Sequence, residues 1–289
     1  GLDPTVIIGT RVPRWCKEKN LGNFRSGKSA WCIVEADEYR NHFHRLTPTV
    51  GVITSLDHDH VDAFPTPADY LNAFKVFISR MVTSGTLVIE QTAAQPLANY
   101  LPAKSIRYSL SDQAADLHAA NVLMKDGRYH FSVVYQGETH PDFSLAVPGR
   151  HMVSNALAAL GAILATSSET KKVIAAGRSA LANFTGTWRR FEFLKEIKGA
   201  LTFSDYAHHP TEVAALLTSA HERYPTKRIV LVFQPHHGDR TRAFASDFLR
   251  VFQKNLAPID HVILCPIYGV LGREQERHDT TVEQWAAEL

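Results

Sequence analysis

Val50–Asp62 reads VGVITSLDHDHVD: an apolar run, VGVIT, that gives way abruptly to a loop of alternating carboxylates and histidines. A short apolar run closed by polar residues reads as a buried strand feeding a loop. In open α/β sheets, ligands sit outside the carboxyl ends of such strands. The stretch upstream repeats the pattern. Trp31–Ala36 (WCIVEA) reads as a second buried strand and runs into Glu35-Ala36-Asp37-Glu38. Parallel neighbours in one sheet would bring both strand ends to the same edge and set Glu35 near His60. A carboxylate with an imidazole, and room for phosphate oxygens, suits Mg²⁺ or Mn²⁺ better than a closed zinc site. His58, His60 and Asp62 also fit the start of the metallohydrolase pattern H-x-H-x-D-H, but Ala63 stands where its last histidine belongs.

Outward from this point, strands and helices alternate, as α/β layers require. Between Pro67 and Val82, apolar residues at Tyr70, Leu71, Phe74, Phe77, Ile78 and Met81 make a helical stripe. Ser84-Gly85 ends that helix, and Thr86–Glu90 is a further short strand. Asn121–Met124 and Tyr129–Tyr135 flank Lys-Asp-Gly-Arg, and Asp-Gly suits the positive φ angles of a tight hairpin turn. Met152–Ala165 and Glu169–Ala182 read as Ala-rich helices.

A second α/β pattern begins near Gly186. Strands are predicted at Leu201–Ser204, Ile229–Phe233 and Val262–Leu264, and helices at Pro210–Arg223 and about Thr241–Lys254. Pro210 suits a first helical turn, and Thr280-x-x-Glu283 reads as a capping box before a last helix. Two domains are expected, 1–185 and 186–289, hinged near Gly186 with a nucleotide between them. In the second, Asp205-Tyr206-Ala207-His208-His209-Pro210 and Gln234-Pro235-His236-His237-Gly238-Asp239-Arg240-Thr241-Arg242 each follow a strand and open a helix. An Asp at a strand end can hold a ribose hydroxyl, and helix N-termini attract anions. The two strands are expected to be neighbours, which puts both loops at one edge. Arg189-Arg190 adds positive charge between the domains.

Gly22–Ser29 (GNFRSGKS) fits the phosphate-loop pattern G-x-x-x-x-G-K-[ST] letter for letter. That loop works only when a strand leads in and a helix leads out, so that free N–H groups face the phosphates. Here WCKEKN precedes it and the strand-like AWCIVEA follows. A basic turn before a strand is the better reading.

Composition bounds the rest. The 289 residues are 45% hydrophobic and 21% charged, as in an ordinary folded domain pair. A net charge of +2 gives no reason to expect a nucleic acid or an acidic membrane as partner. No apolar run nears the roughly 20 residues that span a bilayer, and the first residues do not form a signal peptide. Three scattered cysteines suit a reducing, cytoplasmic setting and no disulfide framework.

Taken in order, EADE, SLDHDHVD, PGRHMVSNALAA, GTWRRFE, DYAHHPTE and FQPHHGDRTR resemble the motifs of the Mur ligases over about Asp3–Leu264. The resemblance implies a central, P-loop-like α/β ligase domain followed by a Rossmann-like C-terminal one. It implies an ATP-dependent amide ligase of peptidoglycan precursor synthesis, with an acyl phosphate as intermediate. UDP-N-acetylmuramate and L-alanine are the implied substrates; the Q-P-H…R-T-R stretch separates this branch from the murein-tripeptide ligase. The implied roles are Glu35 and His60 for metal, Asn155 and Arg190 for ATP, and Asp205 for the ribose with Tyr206 by the base. His209, His236 and Arg240 fall around the incoming amino acid and the phosphates.

Three departures accompany the resemblance. The family's own G-T-x-G-K-T phosphate loop, expected upstream of Glu35, does not occur in this sequence. The N-terminal UDP-binding domain and the end of the C-terminal domain are also missing from it. An incomplete ligase, inactive by itself, is therefore expected, with a non-catalytic Mur-like fragment as the alternative. Finally, Ser55 stands where the family has Asn, and His151-Met152 where it has His-Asn, which removes one amide near the metal and one near the nucleotide.

Overall fold

The computed structural model describes residues 2–16, 21–236, 238–257, 260–268 and 282–289. A small sheet comes first. Strands β1 (Thr5–Ile7), β2 (Phe24–Arg25) and β3 (Cys32–Val34) lie in the order β2-β1-β3, with β1 antiparallel to β2 and parallel to β3. The larger sheet holds β4 (Val50–Ile53), β5 (Thr86–Glu90), β6 (Ser105–Ser109), β7 (Leu117–Lys125), β8 (Arg128–Tyr135) and β9 (Glu138–Leu145) in chain order. Pairing is parallel from β4 to β7 and antiparallel from β7 to β9.

This arrangement corrects the expectation that WCIVEA and VGVIT are sheet neighbours. β3 pairs with β1, β4 pairs with β5, and the two strands belong to different sheets. All three residues of β3 are exposed, so it is not a buried strand. The chain between them, Tyr39–Arg45, is a kinked 3₁₀ segment in which Arg40 (φ 50°) and Asn41 (φ 61°) take left-handed conformations. Those two residues kink the segment between the two sheets.

Helix α1 (Pro67–Ser79) starts at a reciprocal capping box. Asp69 N–H donates to Thr66 Oγ1 at 3.2 Å, and Thr66 N–H donates to the Asp69 carboxylate at 3.1 Å, satisfying two amides that a helix start leaves open. Its buried face (Tyr70, Ala73, Phe74, Phe77, Ile78) packs with Phe43, Ile53, Leu87 and Ile89. Met81 falls beyond the helix end. A four-residue helix, α2 (Gln91–Ala94), follows β5 directly. At the β7–β8 turn, Asp126 (φ 48°) and Gly127 (φ 71°) both have positive φ, the geometry that Asp-Gly accommodates. Helices α3 (Arg150–Leu164) and α4 (Thr170–Ala182) cover the sheet, burying Val153, Leu157, Leu160 and Ile174 against Val88, Leu117, Phe131 and Phe143.

The second half is built from smaller pieces. β10 (Glu192–Ile197) and β11 (Ala200–Ser204) form an antiparallel hairpin, and α5 (Pro210–Arg223) spans the predicted residues. β12 (Val230–Phe233) and β13 (His261–Leu264) pair in parallel. The helix expected over 241–254 is two, α6 (Gly238–Ala243) and α7 (Ala245–Asn255), meeting at Phe244. α8 (Val282–Glu288) delivers Trp285 into a core of Val213, Leu217, Phe233, Phe248, Leu249 and Phe252. The capping residue Thr280 lies outside the described residues. Among the described residues no hydrogen-bonded sheet continues from the first half into the second, and β11 is not a sheet neighbour of β12. The expectation that the two histidine loops meet because their strands pair is therefore wrong in its route.

Candidate active site

The loop after β4 is held tightly. Asp59 Oδ1 accepts the His60 N–H at 2.6 Å, His60 sits at φ 53°, and its carbonyl accepts both Ala63 and Phe64 N–H at 2.8 Å. His60 Nε2 lies 3.4 Å from Glu38 Oε1. Burial favours the neutral ring, but Glu38 and Asp59 outweigh it and raise the His60 pKa. Tyr39 donates its hydroxyl to Asp62 at 2.8 Å, and His58 Nε2 lies 2.8 Å from the Phe64 carbonyl. These contacts engage His58 within the loop and tie Asp62 to the 3₁₀ segment before β4.

Glu35 is elsewhere. Its carboxylate accepts the Gly9 N–H at 2.6 Å. The carboxylate in contact with His60 is Glu38, at 3.4 Å. Among the described residues, no cluster of three or more His, Cys, Asp or Glu side chains is placed to hold a metal. The reasoning that paired Glu35 with His60 required β3 beside β4, and that adjacency is absent.

In the second half, Asp205 spends both carboxylate oxygens on main-chain donors, Phe191 N–H and Ala207 N–H, each at 2.7 Å. The Tyr206 ring stacks under the Arg189 guanidinium at 4.8 Å and is 42% exposed, so it is open to a planar ligand. His209 caps α5: its Nδ1 accepts the Thr211 N–H at 3.3 Å, while Glu212 accepts the N–H groups of His208 and His209. Its Nε2 is buried with no hydrogen-bond partner. Arg190 lies 3.7 Å from Glu212. Burial lowers the pKa of His208 against the pull of Glu212, and lowers that of His151, which feels Asp205, Arg190 and Glu212.

His151 shows that the first turn of α3 faces this cluster. Asn155 lies four residues on, on the same helix face, with its amide 3.9 Å from the Met152 sulfur. The two histidine loops of the second half do meet: the His208 and His236 rings are 5.8 Å apart, and His236 stacks on Tyr268 at 5.5 Å. The two halves meet as well. Arg240 Nη2 lies 2.7 Å from Asp59 Oδ1, and Tyr129 donates its hydroxyl to Glu222. Burial alone would raise the Asp59 pKa, but the Arg240 charge and the His60 amide hold it below its usual value. A cavity of about 630 Å³ opens at the junction, between Val147, Gly186, Arg190, Phe203 and Tyr224.

The structure thus gathers Arg190, Asp205, Tyr206 and His209, with α3 close by, and links Arg240 to the His60 loop. Sequence reasoning missed Asp59, Glu38 and Glu212. Glu212 was legible as the third helical residue after His209, the place a capping carboxylate occupies. Asp59 was not, since its partner lies 181 positions away.

Comparison with known proteins accounts for these motifs together. Residues 14–163 match the Mur ligase middle domain, and residues 189–289 match the Mur ligase, glutamate ligase domain. A UDP-N-acetylmuramate–L-alanine ligase of Desulfosudis oleivorans is 35% identical over 272 residues, 93% of this chain and 56% of that protein. One of Porphyromonas gingivalis is 37% identical over 84% of this chain and 52% of its own length. The chain spans a little over half the length of these curated relatives. Among solved structures, the UDP-N-acetylmuramate–alanine ligase of Thermotoga maritima matches with a TM-score of 0.71 at 24% identity, covering 92% of this chain and 56% of that one. A murein peptide ligase of Psychrobacter arcticus matches at 0.56 and 18%, covering 91% and 68%. With both domain types present in order, the chain belongs to the Mur ligase family.

Proposed function

We propose that this chain carries the nucleotide-facing and amine-facing parts of an ATP-dependent ligase that joins L-alanine to UDP-N-acetylmuramate. The observation that supports it most is the meeting of three motif loops from two halves: Asp59 with Arg240, and His208 with His236. The names of the curated relatives supply the substrates. The chemistry joins a carboxylate to an amine: ATP transfers its γ-phosphoryl group to the carboxylate and leaves as ADP, the amine attacks the acyl phosphate, and a tetrahedral oxyanion collapses to amide and phosphate as the amine sheds a proton. Cations preset around the developing charge are what such a reaction needs.

In this reading Tyr206 stacks on the base beside Arg189. Asp205 keeps its carboxylate next to the ribose while bracing the Phe191 and Ala207 amides. Asn155 and Arg190 approach the nucleotide from α3 and from the interdomain segment. His209, His236 and Arg240 surround the amine and the transferred phosphoryl group, and the unpartnered Nε2 of His209 is the atom with a hydrogen bond to give. Mg²⁺ or Mn²⁺ would enter with ATP and neutralise its phosphates, with Glu35 and His60 as the residues that would hold it. Dependence on ATP suits a cytoplasmic setting, and among the described residues no helix is long and apolar enough to cross a membrane.

The test measures phosphate release from ATP with UDP-N-acetylmuramate and either L-alanine, glycine, L-serine or a murein tripeptide. It is run on this chain and on the chain joined behind a segment that carries the family's G-T-x-G-K-T loop. L-Alanine-dependent release by the joined protein, lost on Arg240→Ala, supports the proposal. Release that ignores the amine, or that prefers the tripeptide, overturns it.

A further inference from the structure

Arg240 has a side chain only 8% exposed, and its charge is answered from the other half of the molecule. Nη2 lies 2.7 Å from Oδ1 and 2.8 Å from Oδ2 of Asp59, whose own side chain is 18% exposed. A guanidinium buried this far is costly unless a counter-charge meets it, so the position of the anion decides the position of the cation. Asp59 is itself immobilised. Its Oδ1 accepts the His60 N–H, and the turn behind it is closed by two amides on the His60 carbonyl. A rigid carboxylate on one half therefore fixes an arginine on the other. Both contacts use Nη2, so Asp59 takes no hydrogen from Nε or Nη1, and those N–H groups are what Arg240 can offer to a second oxyanion.

We propose that Asp59 is a positioning residue, which sets the Arg240 guanidinium at the seam between the halves so that an entering phosphate meets a preset cation. This rests on reading Arg240 as a phosphate-facing residue. Preset cations need no reorganisation when charge arrives, and that is where their value lies. An ion pair that merely joined the halves would stabilise the fold without altering phosphate affinity.

The experiment uses the full chain with ¹⁵N-labelled arginine and inorganic tripolyphosphate as the probe. Comparison with Arg240→Lys assigns the Arg240 Nε–Hε signal. In the unsubstituted chain that signal should exchange slowly with water and shift on titration. Asp59→Asn should broaden or abolish it and weaken tripolyphosphate binding by about tenfold or more, as loss of one partner of a buried charge pair does. Asp59→Glu keeps the charge one methylene farther out and should retain the signal, displaced, with an affinity between the other two. In an Arg240→Gln background, Asp59→Asn should change affinity no further. Loss of the Arg240 signal in Asp59→Asn with unchanged affinity would reduce the pair to a structural tie and overturn the proposal. Should Asp59→Asn not fold, wild-type affinity in Asp59→Glu with a displaced signal overturns it equally. If Arg240→Gln binds tripolyphosphate as well as the parent, the phosphate reading of Arg240 has failed, and the proposal falls with it for a distinguishable reason.

Discussion

The two halves of this molecule bury their strands differently. In the six-stranded sheet, Val88, Leu117, Val133 and Phe143 are fully excluded from water, and α3 and α4 lie across one face. In the second half, β12 leaves Val230 and Val232 exposed and β13 leaves Ile263 exposed, while the core rests on α5, α7 and Trp285 of α8. The first half is organised by its sheet. The second is organised by helices around short strand pairs, and its chemistry-bearing side chains stand on the loops between them. That contrast explains why apolar periodicity is informative in the first half and loop motifs in the second.

Equal damage to the two cores should therefore have unequal reach. Phe143 and Phe252 are both fully buried, one in each core. Truncating either to alanine should cost about 3–5 kcal/mol, the usual range for a buried phenylalanine. In Phe252→Ala, hydrogen exchange should lose protection in α5 and α7 while β5–β8 keep theirs, because the larger core does not depend on the smaller. Phe143→Ala should unprotect the sheet together with α3. Uniform loss of protection across the chain in Phe252→Ala would show one cooperative unit, and would also count against the proposed boundary near Gly186.

Legibility follows the same line. α1, the β7–β8 hairpin and α5 could be read from local signals, since their apolar spacing, capping box and Asp-Gly turn are encoded within a few residues. β10 carries no such signal: Glu192–Ile197 alternates weakly and lies almost entirely exposed. The placement of β3 failed because local sequence cannot state which strand a strand will pair with. Arg40 and Asn41, with their left-handed conformations, interrupt the chain between β3 and β4 without a local signal that announces it. At the site, residue types and loops were legible, and contacts were not. His60 was foreseen and Glu38 was not; Arg240 was foreseen and Asp59 was not. Each missing partner is a tertiary contact that no spacing rule encodes.

The seam between the halves carries two histidines that titrate differently from free imidazole. His151 of the first half and His208 of the second both have pKa values lowered by burial. The sign follows from linkage. A histidine whose folded pKa is depressed binds a proton more readily when unfolded, so its contribution is full above the unfolded pKa near 6.5 and is lost as pH falls below it. These two imidazoles should therefore pull the melting temperature down between pH 7 and pH 5, against the opposite pull of His60, whose pKa is raised, and by less than the core truncations produce. His208→Gln should flatten part of that dependence, and His151→Gln another part. If neither substitution alters the slope, the two imidazoles are not held neutral at the seam.

The smallest expected effect is at Lys28, and it tests the most tempting motif in the sequence. A phosphate loop needs a helix after its lysine, because the helix N-terminus supplies the N–H groups that cradle the anion. In this fold Phe24 and Arg25 are strand β2, and Ser29 leads towards strand β3. The stretch already serves an internal anion. Asp3 accepts the Lys28 N–H at 3.1 Å and pairs with Arg25, while the Gly27 N–H donates to Thr5 Oγ1 at 3.2 Å. Gly27 is also packed so closely on Asp3 and Pro4 that a Cβ there would sit within 2.2 Å of their main-chain atoms, so the glycine serves that contact. Lys28→Ala should leave nucleotide affinity within twofold of the parent chain and stability within about 0.5 kcal/mol, as for an ordinary surface change. By contrast Asp3→Ala removes the carboxylate that organises the loop, and should loosen β1–β3 without touching ATP binding. A tenfold loss of ATP affinity in Lys28→Ala, measured by calorimetric titration, would make GNFRSGKS a working nucleotide loop and reverse the assignment of the nucleotide to the seam between the halves.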